Sequence, residues 1–256
     1  MNRSTPLIHS EPAANDAGIA RSFESPDWYL KGFAANIRVR AETVAAVVPA
    51  GPAGRILDIG CGDGSLSLPL LGRAEQITFL DRSKAMLDRV AAQVSPGAGS
   101  KVAYVNAGFM DADLGDAQFD LILCVGVLAY VQDVNAFLAR VCAVLRPGGT
   151  LILECTHGGH FISRLERAYQ ALTGWLKPKP FDAFTYQPAQ VVTAAEAQRL
   201  RLERTYRYAY SVPVLTRFLR AASAYRWIRR VYGDIDRNRR PALGNQCIFV
   251  FRSPPA

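Results

Sequence analysis

The residues of this chain whose types and spacing best suit chemistry are three alternating glycines, Gly60, Gly62 and Gly64, which follow the apolar run RILDI without a break. Such a run-out from a strand allows a tight turn and lets a ligand approach the backbone closely. The next apolar run, QITFLD, ends in Asp81, 21 residues after Gly60. That spacing suits a carboxylate accepting hydrogen bonds from the two hydroxyls of an adenosine ribose. A dinucleotide fingerprint GxGxxG starting at Gly60 requires glycine at position 65, where the chain has Ser65. The spacing is GxGxG instead, and nothing in it is shaped for a pyrophosphate. A second chemical group is formed by His157 and His160 in ECTHGGH, which with His9 are the three histidines of the chain.

The elements that must position these residues are legible from periodicity. RILDIG, QITFLD, KVAYVN, FDLILCV and GTLILEC have strand length and are bounded by Gly, Asp or Pro signals. Between them SKAMLDRVAAQV and DVNAFLARVCAVL read as amphipathic helices, the first entered from Asp81 and Ser83, the second from Asp133. The second helix runs into Arg146, Pro147, Gly148 and Gly149, and a strand starts at once. Strands alternating with helices predict a parallel sheet covered on both faces, with ligands at the carboxyl ends of its strands. His157 and His160 then fall at that edge, after the fifth strand.

Composition sets the outer limits. The chain has 256 residues, half of them hydrophobic, which is enough for one sizeable core. Five scattered cysteines without CxxC spacing read as reduced thiols. The first twenty residues lack the basic start and apolar run of a signal peptide, and no stretch has the apolar length of a membrane span. The expectation is a cytoplasmic protein with a disordered tail over 1–20 and a single domain over 21–256. The formal charge of +8 is uneven: residues 199–240 hold twelve arginines against Glu203, Asp234 and Asp236. Such a basic third suits phosphates, an anionic membrane surface or an acidic substrate, and reads equally well as a solvated face.

From about Arg55 to Glu154 the chain resembles the core of class I S-adenosylmethionine (SAM)-dependent methyltransferases, through LDIGCGDG, LDRSKAML, FDLILCVGVLAYVQD and LRPGGTLILE in order. The resemblance implies an α/β fold with a seven-stranded, mostly parallel sheet, helices on both faces and an antiparallel last strand, here NQCIFVF, plus helical inserts. It implies SAM as cofactor, bound over residues 55–155. Gly60, Cys61 and Gly62 would pack by backbone under its methionine part, and Asp58, in the same motif, is a further cofactor-binding candidate. Asp81 would hold the ribose, Arg82 and Met86 would flank the adenine, and Val125 would lie by the cofactor and face the acceptor. Relatives commonly carry a Gly-Asp pair after the third strand, whereas this chain reads Asn106, Ala107, Gly108, Phe109. Asn106 or a backbone carbonyl is then the expected acceptor for the adenine amino group, and Phe109 the expected stacking partner for the ring. Arg38 or Arg40, in the helical segment before the first strand, approaches the SAM carboxylate or stays a solvated helix residue.

Methyl transfer requires an acceptor lone pair held in line with the S–CH3 bond, exclusion of water and, for an oxygen or nitrogen acceptor, removal of a proton. The candidates for that proton are His157, His160 and Tyr130, the last at a place where relatives often have histidine. Their alternative is ordinary packing. No cluster with metal-ligand spacing is seen, so no metal is expected.

The inserts, 157–190 and 212–241, are expected on the acceptor side. In the first, Phe161, Ile162, Leu165, Ala168, Tyr169, Leu172 and Leu176 recur at helical spacing, ending near Gly174 and Pro178; packing on the core is the expected fate of that stripe. In the second, Arg229 falls within the apolar stripe, which predicts a break there. The organisation is similar to that of methyltransferases acting on quinone and other lipid-like precursors. A small-molecule acceptor, apolar or membrane-borne and methylated on oxygen, is therefore expected. Nucleic acid is disfavoured, since Cys124-Val125-Gly126-Val127 stands where a nucleobase amino-methyltransferase has an Asn-Pro-Pro-Tyr element. Two other readings share the fold: a SAM-binding module without catalysis, and a basic membrane or nucleic-acid adaptor.

Overall fold

The computed structural model describes residues 27–48, 50–173, 183–209 and 220–255. Seven strands form one sheet: β1 (Gly54–Ile59), β2 (Ala74–Leu80), β3 (Val102–Val105), β4 (Phe119–Cys124), β5 (Leu145–Thr156), β6 (Arg201–Tyr208) and β7 (Gln246–Arg252), in the order β3-β2-β1-β4-β5-β7-β6. Pairings from β3 through β5 are parallel, and β7 runs antiparallel between β5 and β6. This is the sheet expected from the sequence, antiparallel last strand included.

The helices are α1 (Asp27–Gly32), α2 (Ala34–Val47), α3 (Lys84–Ala91), α4 (Val134–Val144), α5 (Phe161–Thr173), α6 (Pro188–Ala197) and α7 (Ala221–Tyr232). The starts of α3 and α4 follow from their caps. Ser83 Oγ accepts from the Met86 N–H, and Asp133 accepts from the N–H groups of Asn135 and Ala136. Each cap satisfies donors that the first helical turn leaves without partners. Strand alternation sorts the core into two layers. Ile56, Leu121, Leu123, Ile152, Ile248 and Val250 meet Val39, Val44, Leu87, Val90 and Ile228 of α2, α3 and α7. Leu57, Ile122, Leu151, Leu153, Phe249 and Phe251 meet Phe137, Leu138, Val141, Val191 and Ala195 of α4 and α6. Each fully buried apolar side chain contributes about 1.5–3 kcal/mol, so both faces hold the strands whose carboxyl ends carry the site.

Two expectations about the inserts are corrected. The stripe on α5 does not pack on the core. Ile162 is buried, but Phe161 and Leu165 are 57% and 53% exposed, and Tyr169 and Leu172 are also exposed. The second helix does not break at Arg229. It runs through to Tyr232, because the Arg229 guanidinium is half-buried and donates from both Nε and Nη2 to Glu42 Oε2 on α2, at 3.1 and 2.6 Å. Leu176, Gly174, Pro178, the 1–20 tail and residues 211–219 lie outside the described residues. Among the described residues no helix is long and apolar enough to cross a membrane.

Candidate functional site

The turn after β1 is built as its glycines demand. Gly60, Gly62 and Gly64 all have positive φ, at 64°, 55° and 78°. A side chain on Gly60 would stand 2.5 Å from Cγ2 of Val127 in the loop after β4, so two loops meet there. At Gly62 a Cβ would meet nothing within 4 Å. The turn therefore presents open backbone at the strand edge, the form a cradle for a ligand takes.

Asp81 ties this turn to the loop after β2. Its Oδ2 accepts from Gly62 N–H at 3.0 Å, and its Oδ1 accepts from Ser83 N–H at 2.8 Å. Each carboxylate oxygen keeps a second lone pair, the two acceptors a ribose diol needs. Burial raises the Asp81 carboxyl above its ordinary value, and the two backbone donors pull it partly back. Asp58, on β1 beneath the turn, is buried and accepts from Ser67 Oγ at 2.5 Å. Burial pushes its carboxyl up to about 7, Ser67 opposes the shift, and the charges of Asp81 and Asp63 add to it. Three acids thus share one small region, and a positively charged ligand would relieve their repulsion.

The other cofactor candidates divide. Asn106 donates from Nδ2 to the carbonyls of Asp81 and Arg82, at 3.0 and 2.9 Å, so Oδ1 remains as the acceptor atom of its amide. Arg82 lies across Gly108, where a Cβ would stand 2.7 Å from the arginine Nε. Val125 is buried just beyond β4, and the Cys61 thiol is buried and held protonated by burial and the nearby acids. Two expectations need correcting. The Phe109 ring is packed edge-on to Phe137 at 5.1 Å inside the core, because its flanks are filled by α4 and Arg140. It offers no free face for stacking. Met86 is fully buried on the inner side of α3, so its contribution is packing under the site.

The acceptor edge is assembled by the end of the first insert. Residues 183–187 lie between the loops after β4 and β5. Phe184 N–H donates to Ala129 O at 2.8 Å, Tyr186 Oη to Val131 O, and Tyr186 N–H to Thr156 O at 3.1 Å, while Gly158 N–H donates to Tyr186 O. Tyr130 and His157 therefore flank one segment. His157 Nε2 lies 2.8 Å from Gln187 Oε1, which places the ring proton on Nε2 and leaves Nδ1 as a lone pair without a hydrogen-bond partner. Burial lowers the His157 pKa, so the ring is neutral at neutral pH. His160 is removed as a base: Nδ1 accepts from Ile162 N–H and Nε2 donates to Ala242 O, so both nitrogens are committed.

Neither arginine of α2 is offered to a cofactor carboxylate. Arg38 is exposed, bonded to Glu42 and stacked over Tyr225. Arg40 is buried and ion-paired with Glu154. The sequence reading missed Glu154, Tyr208 and Asn36, whose burial follows from packing across distant segments and leaves no local signal.

Residues 56–149 match the family model described as a methyltransferase domain. Over those residues the chain is similar to methyltransferase domains. It is 33% identical over 106 residues to an uncharacterised methyltransferase of Mycobacterium tuberculosis, covering 41% of this chain and 52% of the relative. It is 32% identical over 149 residues to a ubiquinone biosynthesis O-methyltransferase of Xanthomonas axonopodis, covering 57% and 61%. The chain thus spans about half to three fifths of these relatives' length. Among solved structures, magnesium protoporphyrin IX methyltransferase from Synechocystis, crystallised with S-adenosylhomocysteine (SAH), superposes with a TM-score of 0.62 at 15% identity, over 93% of this chain and 99% of that one. At that identity the likeness is one of fold.

Proposed function

We propose that the methyltransferase domain is catalytically active and transfers a methyl group from SAM to the oxygen of a small, apolar or lipid-like acceptor. The observation that carries the reading is the open backbone at Gly62 joined to the Asp81 carboxylate, set among three acids that suit a cationic ligand. Bound there, SAM supplies an electrophilic methyl on a sulfonium. Asp81 accepts from the ribose hydroxyls, Asn106 Oδ1 accepts from the adenine amino group, and the turn at Gly60–Gly62 supports the methionine part. Val125, Tyr130 and the 183–187 segment shield the acceptor from water. His157 Nδ1 is the stronger proton acceptor, since its lone pair is unmatched, and Tyr130 is the alternative. The ubiquinone O-methyltransferase likeness supports oxygen as the attacking atom.

The exposed Phe161 and Leu165, beside Arg164 and Arg167 on α5, support a peripheral membrane contact through which an apolar acceptor is delivered. SAH release measured over a panel of phenolic and lipid-like acceptors tests the activity. Turnover with none of them, in a protein that binds SAM, would favour a cofactor-binding module. His157→Ala and Tyr130→Phe separate proton transfer from packing, and unchanged rates in both remove both as bases. Sedimentation with anionic vesicles, compared with Phe161→Ser and Arg226→Glu/Arg230→Glu proteins, tests the membrane contact. Arg229 is left intact because it binds Glu42.

A further inference from the structure

Four buried polar side chains converge on the sheet face that carries α2: Asn36 and Arg40 from α2, Glu154 from β5 and Tyr208 from β6. Arg40 Nε donates to Glu154 Oε1 at 3.1 Å, and its Nη2 pairs with Oε2. Tyr208 Oη lies 2.8 Å from Glu154 Oε1 and 2.5 Å from Asn36 Oδ1. A phenol has one hydrogen and cannot donate to both. Glu154, charged beside Arg40, is the better acceptor. Turning the Asn36 amide lets its NH2 donate to the phenolic oxygen and leaves Oδ1 unmatched. The unturned amide leaves Nδ2 unmatched. In either orientation one amide atom of a side chain only 2% exposed lacks a partner, which is costly unless something supplies one.

The cluster stands at the ligand edge. The Arg40 guanidinium lies 3.1 Å from the place a Cβ on Gly126 would occupy, and Gly126 directly follows Val125 beyond β4. Leu153, the neighbour of Glu154, pairs in register with Cys124, the last residue of β4. Sequence motifs did not reveal this convergence, since its members are separated by up to 172 positions.

We infer that Asn36 binds a neutral hydroxyl group of the methyl acceptor, held in place by the Tyr208–Glu154–Arg40 chain behind it. A hydroxyl both donates and accepts, so it completes Asn36 in either amide orientation. Arg40 and Glu154 cancel each other's charge, which leaves nothing to match a carboxylate or an ammonium. The inference rests on the methyl-transfer reading above.

Ligand-observed NMR on the SAH-loaded full chain tests it, with phenol and toluene as probes of equal shape. The wild-type protein is expected to prefer phenol by roughly two- to tenfold, the worth of one neutral hydrogen bond. Asn36→Ala and Asn36→Leu should reduce that preference while leaving SAH affinity, measured by calorimetry, within about twofold. Two substitutions of different size guard against one of them disturbing α2. No phenol preference in the wild type, or a preference unchanged in a variant that still binds SAH, would overturn the inference and mark the unmatched atom as a water site only. Failure of the wild type to bind SAH would instead overturn the methyl-transfer reading.

Discussion

Asp81→Asn isolates the contact on which the proposed cofactor recognition depends. In the wild-type protein Oδ2 serves Gly62 N–H and Oδ1 serves Ser83 N–H, and each keeps one lone pair for a ribose hydroxyl. Asparagine keeps one acceptor oxygen and turns an NH2 donor toward the other backbone N–H. One backbone bond and one ribose acceptor are lost together. A hydrogen bond to a charged acceptor is worth about 1.5–3 kcal/mol, so the ribose share alone predicts SAH binding weakened roughly ten- to a hundredfold. Loosening of the turn adds a loss of its own, and a cycle over protein and ligand separates the two. Calorimetry would compare wild type and variant with SAH and with its 2′- and 3′-deoxy analogues. Deleting a hydroxyl should cost the wild type about 1.5–3 kcal/mol and the variant distinctly less for one of the two analogues. If variant and wild type lost equal affinity for both analogues, Asp81 would be a turn-former that never touches the ribose, and the cofactor assignment would lose its main support.

Other outcomes follow from the same structure. Asp58 titrates near 7 when folded and near its ordinary value of 3.8 when unfolded. Between those values the folded state binds the extra proton, so this residue's contribution to stability falls as pH rises from about 4 to 7, by about 1.4 kcal/mol per unit and on the order of 4 kcal/mol in all. Denaturation at pH 5 and pH 8 should show a smaller pH-dependent loss in Asp58→Asn than in wild type, and parallel curves would contradict the assignment. Arg40→Ala should leave Glu154 charged and buried without its partner and destabilise the fold by about 3–5 kcal/mol, read as a lower denaturation midpoint at unchanged slope. Gly60→Ala must place a Cβ 2.5 Å from Val127 Cγ2 at a φ of 64°, so SAH affinity should fall well before Gly72→Ala, where nothing lies within 4 Å, has any effect. SAH affinity should be indifferent to EDTA, and its loss on chelation would expose a metal requirement.

Local order in the chain was legible because it is written in local patterns. Alternating apolar runs, the Ser83 and Asp133 caps and the glycine spacing act over a few residues, and the structure realises each of them. Asp81 was legible too, since a carboxylate at the end of the second strand necessarily emerges beside the first turn in a parallel sheet. Phe109 shows where this reasoning stops. Its type suits stacking on a purine ring, but which way it turns is decided by the space between α4 and the sheet, where Phe137 receives it. Arg229 is similar: a charge in an apolar stripe predicts a broken helix until Glu42, 187 positions away, neutralises it. His157 and His160 are alike in sequence, and only their partners, Gln187 for one and Ala242 with Ile162 for the other, leave one with an unmatched ring nitrogen and commit both nitrogens of the other. The amino-acid sequence by itself determined the first five strands and the glycine turn, because these depend on periodicity and short spacing, while the last strand and the cofactor expectation came from resemblance to a family. The tertiary structure decided which polar groups are buried, paired or left unmatched, because burial and pairing arise only when segments far apart in the chain are packed together.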